Sequence, residues 1–99
     1  MNKKISEMIE YPKEGILSKV IVKTNKADIT LFCMAKGTEM GKHTSAYQAM
    51  VQVIEGKGIF ALGKEKIEML PGTIIFMKEN DVHSLSAKEN TSFILSLWK

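Results

Sequence analysis

The chain has no arginine. All 14 of its basic residues are lysine, set against 11 acidic residues for a formal net charge of +3. Arginine is the side chain that reads base edges and clamps phosphate through two parallel hydrogen bonds. Its absence, with lysines scattered among acids along the chain, speaks for a solvated surface and against a nucleic-acid groove. Cysteine is nearly missing too. Cys33 stands alone, so no disulfide can close within the chain, as expected in a reducing cytosol. No apolar run approaches the ~18 residues needed to span a membrane. The opening residues, Met1 to Glu10, include two lysines but neither an apolar stretch nor a small-residue cleavage site, so they are not expected to be a secretory signal.

What is present fits one domain. A chain of 99 residues, 44% hydrophobic and 25% charged, has the composition of an ordinary globular protein with one core. A domain of this size buries only about two-thirds of its unfolded surface, so it gains stability from pairing.

Periodicity gives the architecture. Residues 1–14 are an N-terminal arm or a short helix: Ile5, Met8 and Ile9 have helical spacing, which Tyr11-Pro12 interrupts. From Gly15 the pattern turns to strand. Expected strands run Ile16 to Lys23, Ala27 to Ala35, Met50 to Ile54, Ile59 to Leu62, Lys66 to Leu70, Thr73 to Met77, Val82 to Ala87 and Thr91 to Trp98. Lys36 to Lys42 reads as a loop. Turns fall at Thr24-Asn25-Lys26, Glu55-Gly56-Lys57-Gly58, Gly63-Lys64-Glu65 and Pro71-Gly72. About eight or nine short strands with regular turn signals, and no helix of useful length among them, predict an all-β sandwich or barrel over residues 15–99.

The chemistry is sparse. There is no Gly-x-Ser-x-Gly, no phosphate-cradling glycine loop and no pair of carboxylates sharing a strand. Nothing in the spacing sets Cys33 beside a histidine as a nucleophile pair, and core packing is its simpler role. The two histidines stand out. His43 follows the loop that begins at Gly37, and His83 follows the strand Thr73 to Met77, so each lies in a similar place relative to a glycine and an apolar strand. Seven methionines raise the thought of a Cu(I) site, because thioether sulfur is a soft ligand. Met34, Met50, Met69 and Met77 sit at apolar strand positions, and core filling is the simpler reading.

Spacing around the histidines resembles the cupins, small jelly-roll barrels of two packed antiparallel sheets. Their first motif runs Gly, five residues, His, one, His, three or four, Glu, six, Gly. Here Gly37, His43 and Gly56 are in register, with Ser45 in the second His position and Ala49 in the Glu position. Their second motif runs Gly, five, Pro, one, Gly, two, His, three, Asn. Here Gly72 and His83 match, with Lys78, Asn80 and Ala87 in the remaining places. Asn in a glycine slot is physically consistent, since Asn tolerates the left-handed region better than most residues. The stretch from His43 to Gly56 and that from Val82 to Leu97 are similar to short single-domain bacterial cupins with one histidine per motif. The resemblance covers about Ala27 to Trp98.

The resemblance implies a double-stranded β-helix with His43 and His83 inside it. In metal-binding cupins, three histidines and a glutamate hold the ion. Position by position, that leaves His43 and His83 as metal ligands, which would hold a divalent transition metal weakly. Gln48, Glu39 from the loop, or Cys33 if it faces inward could add a donor, although strand alternation turns Gln48 away from the side of Ala49. A metal-free pocket for a small molecule is the rival, with His43, Ser45, Tyr47, Gln48 and His83 as its polar lining. A third possibility is two histidines satisfied within the core. The expected functions are accordingly a small-molecule-binding cupin, a metal-dependent oxygenase or isomerase with an atypical two-histidine site, or an interaction protein with an inert barrel. Gln52 is expected to meet a partner chain or the second sheet, and Trp98 to pack at an interface. A homodimer is expected, through strands such as Ile16–Val22 or Thr91–Trp98.

Overall fold

The computed structural model describes the whole chain, Met1–Lys99. A single helical turn, α1 (Ile5–Met8), precedes nine strands: β1 (Ile16–Lys23), β2 (Ala27–Met34), β3 (Glu39–His43), β4 (Gln48–Glu55), β5 (Gly58–Leu62), β6 (Glu65–Met69), β7 (Ile74–Met77), β8 (His83–Ala87) and β9 (Thr91–Trp98). They form a five-stranded sheet, ordered β1-β2-β9-β4-β7, and a four-stranded sheet, ordered β3-β8-β5-β6. Every pairing is antiparallel. The two sheets face each other as a double-stranded β-helix, and the all-β expectation holds. No helix is long and apolar enough to cross a membrane.

Alternation along each strand supplies the core. Ala49, Val51 and Val53 of β4 point inward, as do Ile75 and Met77 of β7, Phe60 of β5, Met69 of β6 and Phe93 of β9. Phe32 and Phe93 are direct cross-strand partners, stacked with ring centroids 5.2 Å apart. Burial of Phe93 contributes roughly 1.5–3 kcal/mol, and half-buried Phe32 less. Gln52, on the opposite face of β4, is exposed and so makes no buried amide contact with the second sheet.

One element departs from the sequence reading. Glu39 to Lys42, expected within the loop Lys36 to Lys42, form with His43 the edge strand β3. Its own residues, Gly41 and Lys42 among them, carry little strand propensity. The pairing comes from β8, which takes Glu39 opposite Ser86, Met40 opposite Leu85 and His43 opposite His83. Three steps on β3 thus match two on β8, which is a β-bulge between Met40 and His43.

The turns meet their geometric needs. Gly56 has φ +107°, and a Cβ there would collide with the Asn90 carbonyl oxygen and approach Thr91 Cα to 2.5 Å. Only glycine lets the β4–β5 turn lie this close to the β8–β9 connection. Buried Thr91 joins the same two segments, its Oγ1 accepting the Lys57 N–H at 3.1 Å and donating to the Glu89 carbonyl at 2.8 Å. Asn80 has φ +65°, the left-handed conformation expected of it.

The N-terminal residues fold over the outer face of the five-stranded sheet. Leu31, Cys33 and Ser92 face away from the barrel interior yet have no exposed surface. Tyr11 lies over this row and donates its hydroxyl to Glu55 Oε1 at 2.7 Å, while Lys19 pairs with Glu10 at 2.9 Å. Burial first, and then the Glu55 carboxylate, push the Tyr11 hydroxyl up to about 12. Cys33 therefore faces the arm and not the barrel, and cannot add a thiolate to an interior site.

Candidate functional site

The two histidines are neighbours across the β3–β8 ladder. Their ring centroids lie 4.0 Å apart, edge to face at 62°. His83 is 7% exposed and parallel to Phe60, whose ring stacks on it at 5.7 Å; His43 stands at the open rim. Each ring is held from behind by the carbonyl two residues before it. His43 Nδ1 lies 2.7 Å from the Gly41 oxygen, and His83 Nδ1 lies 3.1 Å from the Asp81 oxygen. A carbonyl can only accept, so Nδ1 carries the hydrogen on both rings. On the neutral form of each ring, Nε2 is then the nitrogen with the free lone pair.

Both rings line a cavity of about 180 Å³ inside the barrel. Its other walls are apolar: Phe32, Val51, Phe60, Leu85, Phe93 and Leu95, with the thioethers of Met40 and Met77. The imidazoles are the only polar side chains there. Burial depresses the pKa of His83 below the ordinary histidine value, and nearby His43 adds to the effect, against the hydrogen bond that His83 donates to the Asp81 carbonyl and against the Asp81 charge. At neutral pH His83 is a neutral hydrogen-bond acceptor in an apolar wall.

The remaining expected site residues lie elsewhere. Ser45 Oγ accepts the Tyr47 N–H at 3.1 Å in the bend after β3. Tyr47 is 43% exposed. Gln48 starts β4 opposite Trp98 and is exposed, while Ala49 next to it is buried in the core. None of the three lines the cavity. Glu39 is paired with Ser86 on the outer face of the small sheet. Conversely, Met40 and Phe60 line the cavity but carried no sequence signal as site residues. Counting back from His43 by twos puts Met40 on the other face, and only the bulge returns it inward. Gly41 beside a lysine in a short polar stretch was the available hint of that bulge.

A larger concavity, about 350 Å³, lies on the outer face of the small sheet among Glu39, Lys42, Lys66, Ser84 and Ser86. It is a wide trough that also touches Ile59 and shares Met40 and Leu85 with the barrel cavity. It contains neither histidine, and the barrel cavity is the better candidate because its few polar groups converge in an apolar surround.

A family model described as a cupin domain matches residues 30–98. No curated protein matches the chain. Solved structures share the fold. A conserved protein of unknown function from Streptococcus pyogenes is 26% identical with a TM-score of 0.89, covering 100% of this chain and 87% of its own. A cupin superfamily protein from Desulfitobacterium hafniense is 16% identical with a TM-score of 0.89, covering 95% and 86%. KdgF from a Halomonas species is 20% identical with a TM-score of 0.80, covering 86% and 80%.

Proposed function

The chain belongs to the cupin family, and from that membership we propose that its barrel binds a small, mostly apolar molecule through a single hydroxyl or carboxylic acid group. One observation carries this: a cavity whose only polar side chains are two imidazoles, each turned so that Nε2 is the free nitrogen. Two such lone pairs accept from an O–H donor, or take the proton of an acid and hold its carboxylate as an ion pair. The volume limits the guest. An engineered apolar cavity of about 150 Å³ holds benzene, so about 180 Å³ suits a molecule of roughly one ring and a substituent.

The divalent ion of metal-binding cupins does not fit these residues. No cluster of three or more His, Cys, Asp or Glu side chains exists to hold one. Ala49 fills the place of the glutamate with a buried methyl group, the Ser45 hydroxyl is committed to the Tyr47 amide, and Cys33 faces the other side of the sheet. No reaction step is routed through such an ion.

Phenol and benzoate, as probes, test the pocket. Each should shift the imidazole resonances of both histidines and raise the melting temperature, and His83→Ala should abolish both effects. Imidazole resonances that ignore both probes at millimolar concentration would overturn the reading.

We also infer a homodimer. Ile74, Phe76 and Trp98 are exposed on the outer face of β7, β4 and β9, and the residues between them, Met50, Gln52 and Ser96, are uncharged. In a chain of net charge +3, an uncharged face is where a second copy meets least repulsion, and β7 has a free edge beside it. The lone cysteine, free and buried, suits a reducing compartment, for which we propose the cytoplasm.

A further inference from the structure

The cavity contains sulfur as well as nitrogen. Met40 and Met77 line it with the two histidines, Met40 from the bulged edge strand β3 and Met77 from β7 on the opposite sheet. These two methionines differ from their fellows. Met34 and Met69 are fully buried in the core and do not reach the cavity, and Met50 lies on the outer face. We propose that this end of the barrel is a soft-metal site, in which His43 Nε2, His83 Nε2 and the Met40 and Met77 thioethers hold one Cu(I) ion. The inference rests on reading the cavity as the binding site.

Four features select the metal. First, the donors are imidazole and thioether, which suit Cu(I), and no carboxylate lines the cavity to attract a harder ion. Second, none of the four donors brings a negative charge. The cost of moving an ion from water into an apolar site grows with the square of its charge. A divalent ion here would face that cost with nothing to compensate its charge, whereas a monovalent ion faces a quarter of it. Third, both rings already donate Nδ1–H to a backbone carbonyl, the outer hydrogen bond that orients a metal-bound histidine and raises its basicity. Fourth, there is a way in. His43 is exposed and Met40 half-buried at the rim, while His83 and Met77 lie deeper. An ion can meet His43 and Met40 first and pass inward to the other pair.

The test titrates the metal-free protein with Cu(I) under anaerobic conditions against a chromophoric Cu(I) chelator. It is followed by X-ray absorption at the copper edge, with Zn(II) and phenol titrated separately. One equivalent of Cu(I) should bind, with nitrogen and sulfur scatterers around it. Met40→Leu and Met77→Leu keep volume and apolarity. Each should lose sulfur scattering and weaken binding by at least the roughly 10–100-fold that even an outer-sphere partner is worth. Met50→Leu should change nothing, and Zn(II) should not be retained. Failure of the folded protein to hold Cu(I) against the chelator overturns the proposal. So does an unchanged affinity and sulfur shell in the Met40→Leu/Met77→Leu double variant, or Zn(II) held as tightly as Cu(I). Phenol binding without Cu(I) binding would sink the metal site and leave the small-molecule pocket standing. Sulfur-ligated Cu(I) without phenol binding would do the reverse.

Discussion

His43 and His83 sit directly opposite each other in the ladder of an edge strand and its neighbour, with ring centroids 4.0 Å apart. They lie forty positions apart in the chain, yet share one wall and one pattern of backbone support.

The first prediction concerns their titration. Burial, and then His43, hold His83 below the ordinary pKa, while Asp81 works the other way; no other titratable side chain lines the cavity. A depressed folded-state pKa means that the fold favours the neutral ring. The associated stability is fully present above the unfolded value of about 6.5 and is lost as pH falls through the lower folded value. Acid unfolding should therefore begin earlier than carboxylate protonation alone requires. In NMR titrations the His83 ring should protonate below its ordinary pH, and His43→Ala should move that step upward. A His83 step at or above the ordinary value would contradict the geometry.

The second concerns Gly56. Its φ of +107° and the backbone that a Cβ would meet make Gly56→Ala both strained and overpacked. A loss of about 3 kcal/mol or more is expected in urea unfolding. Gly37 has φ +86° but nothing within 4 Å of a Cβ, so Gly37→Ala should cost only about 1–2 kcal/mol. Equal losses would mean that the Asn90–Thr91 contact is not a constraint.

Tyr11 supplies the third. The protein should show a phenolate absorbance step at about pH 12 that Tyr11→Phe removes. Here the folded-state pKa is raised, so the stability is present below the unfolded value of about 10 and is lost as pH climbs through about 12. At neutral pH, Tyr11→Phe should cost about 1 kcal/mol, the net worth of its hydrogen bond to Glu55.

Fourth, light scattering at micromolar concentration should give twice the 11.1 kDa chain mass. Phe76→Asp, on an exposed residue of β7, should return the chain to a folded monomer whose melting temperature is lower and no longer rises with protein concentration. A wild-type monomer would remove the dimer proposal.

Much of the barrel was legible because strand alternation and turn chemistry are local. Ile67 and Met69 between charges, Gly56 and Gly72 at turns, and Asn80 in a left-handed turn all declare themselves within a few residues. The two motif histidines meeting inside was legible through spacing. What stayed hidden was set by distant partners. Glu39 to His43 becomes a strand because β8 pairs with it, not because its residues favour one. Cys33 and Leu31 sit on an apolar second face of β2 because the N-terminal arm covers them, and the sequence shows that face without showing its cover. Ser45, Tyr47 and Gln48 follow His43 closely, but the chain bends out of the ladder after β3, so nearness in sequence does not become nearness in the cavity.

The bulge in β3 has a consequence for how such a barrel changes its chemistry. Take out the irregularity while His43 stays in place, and strict alternation would turn Met40 to solvent and swing Glu39 toward the two imidazoles. The interior would then offer a carboxylate where it now offers a thioether. Where the edge strand takes its extra step, with no exchange of one amino acid for another, decides which of these two chemistries faces the imidazoles.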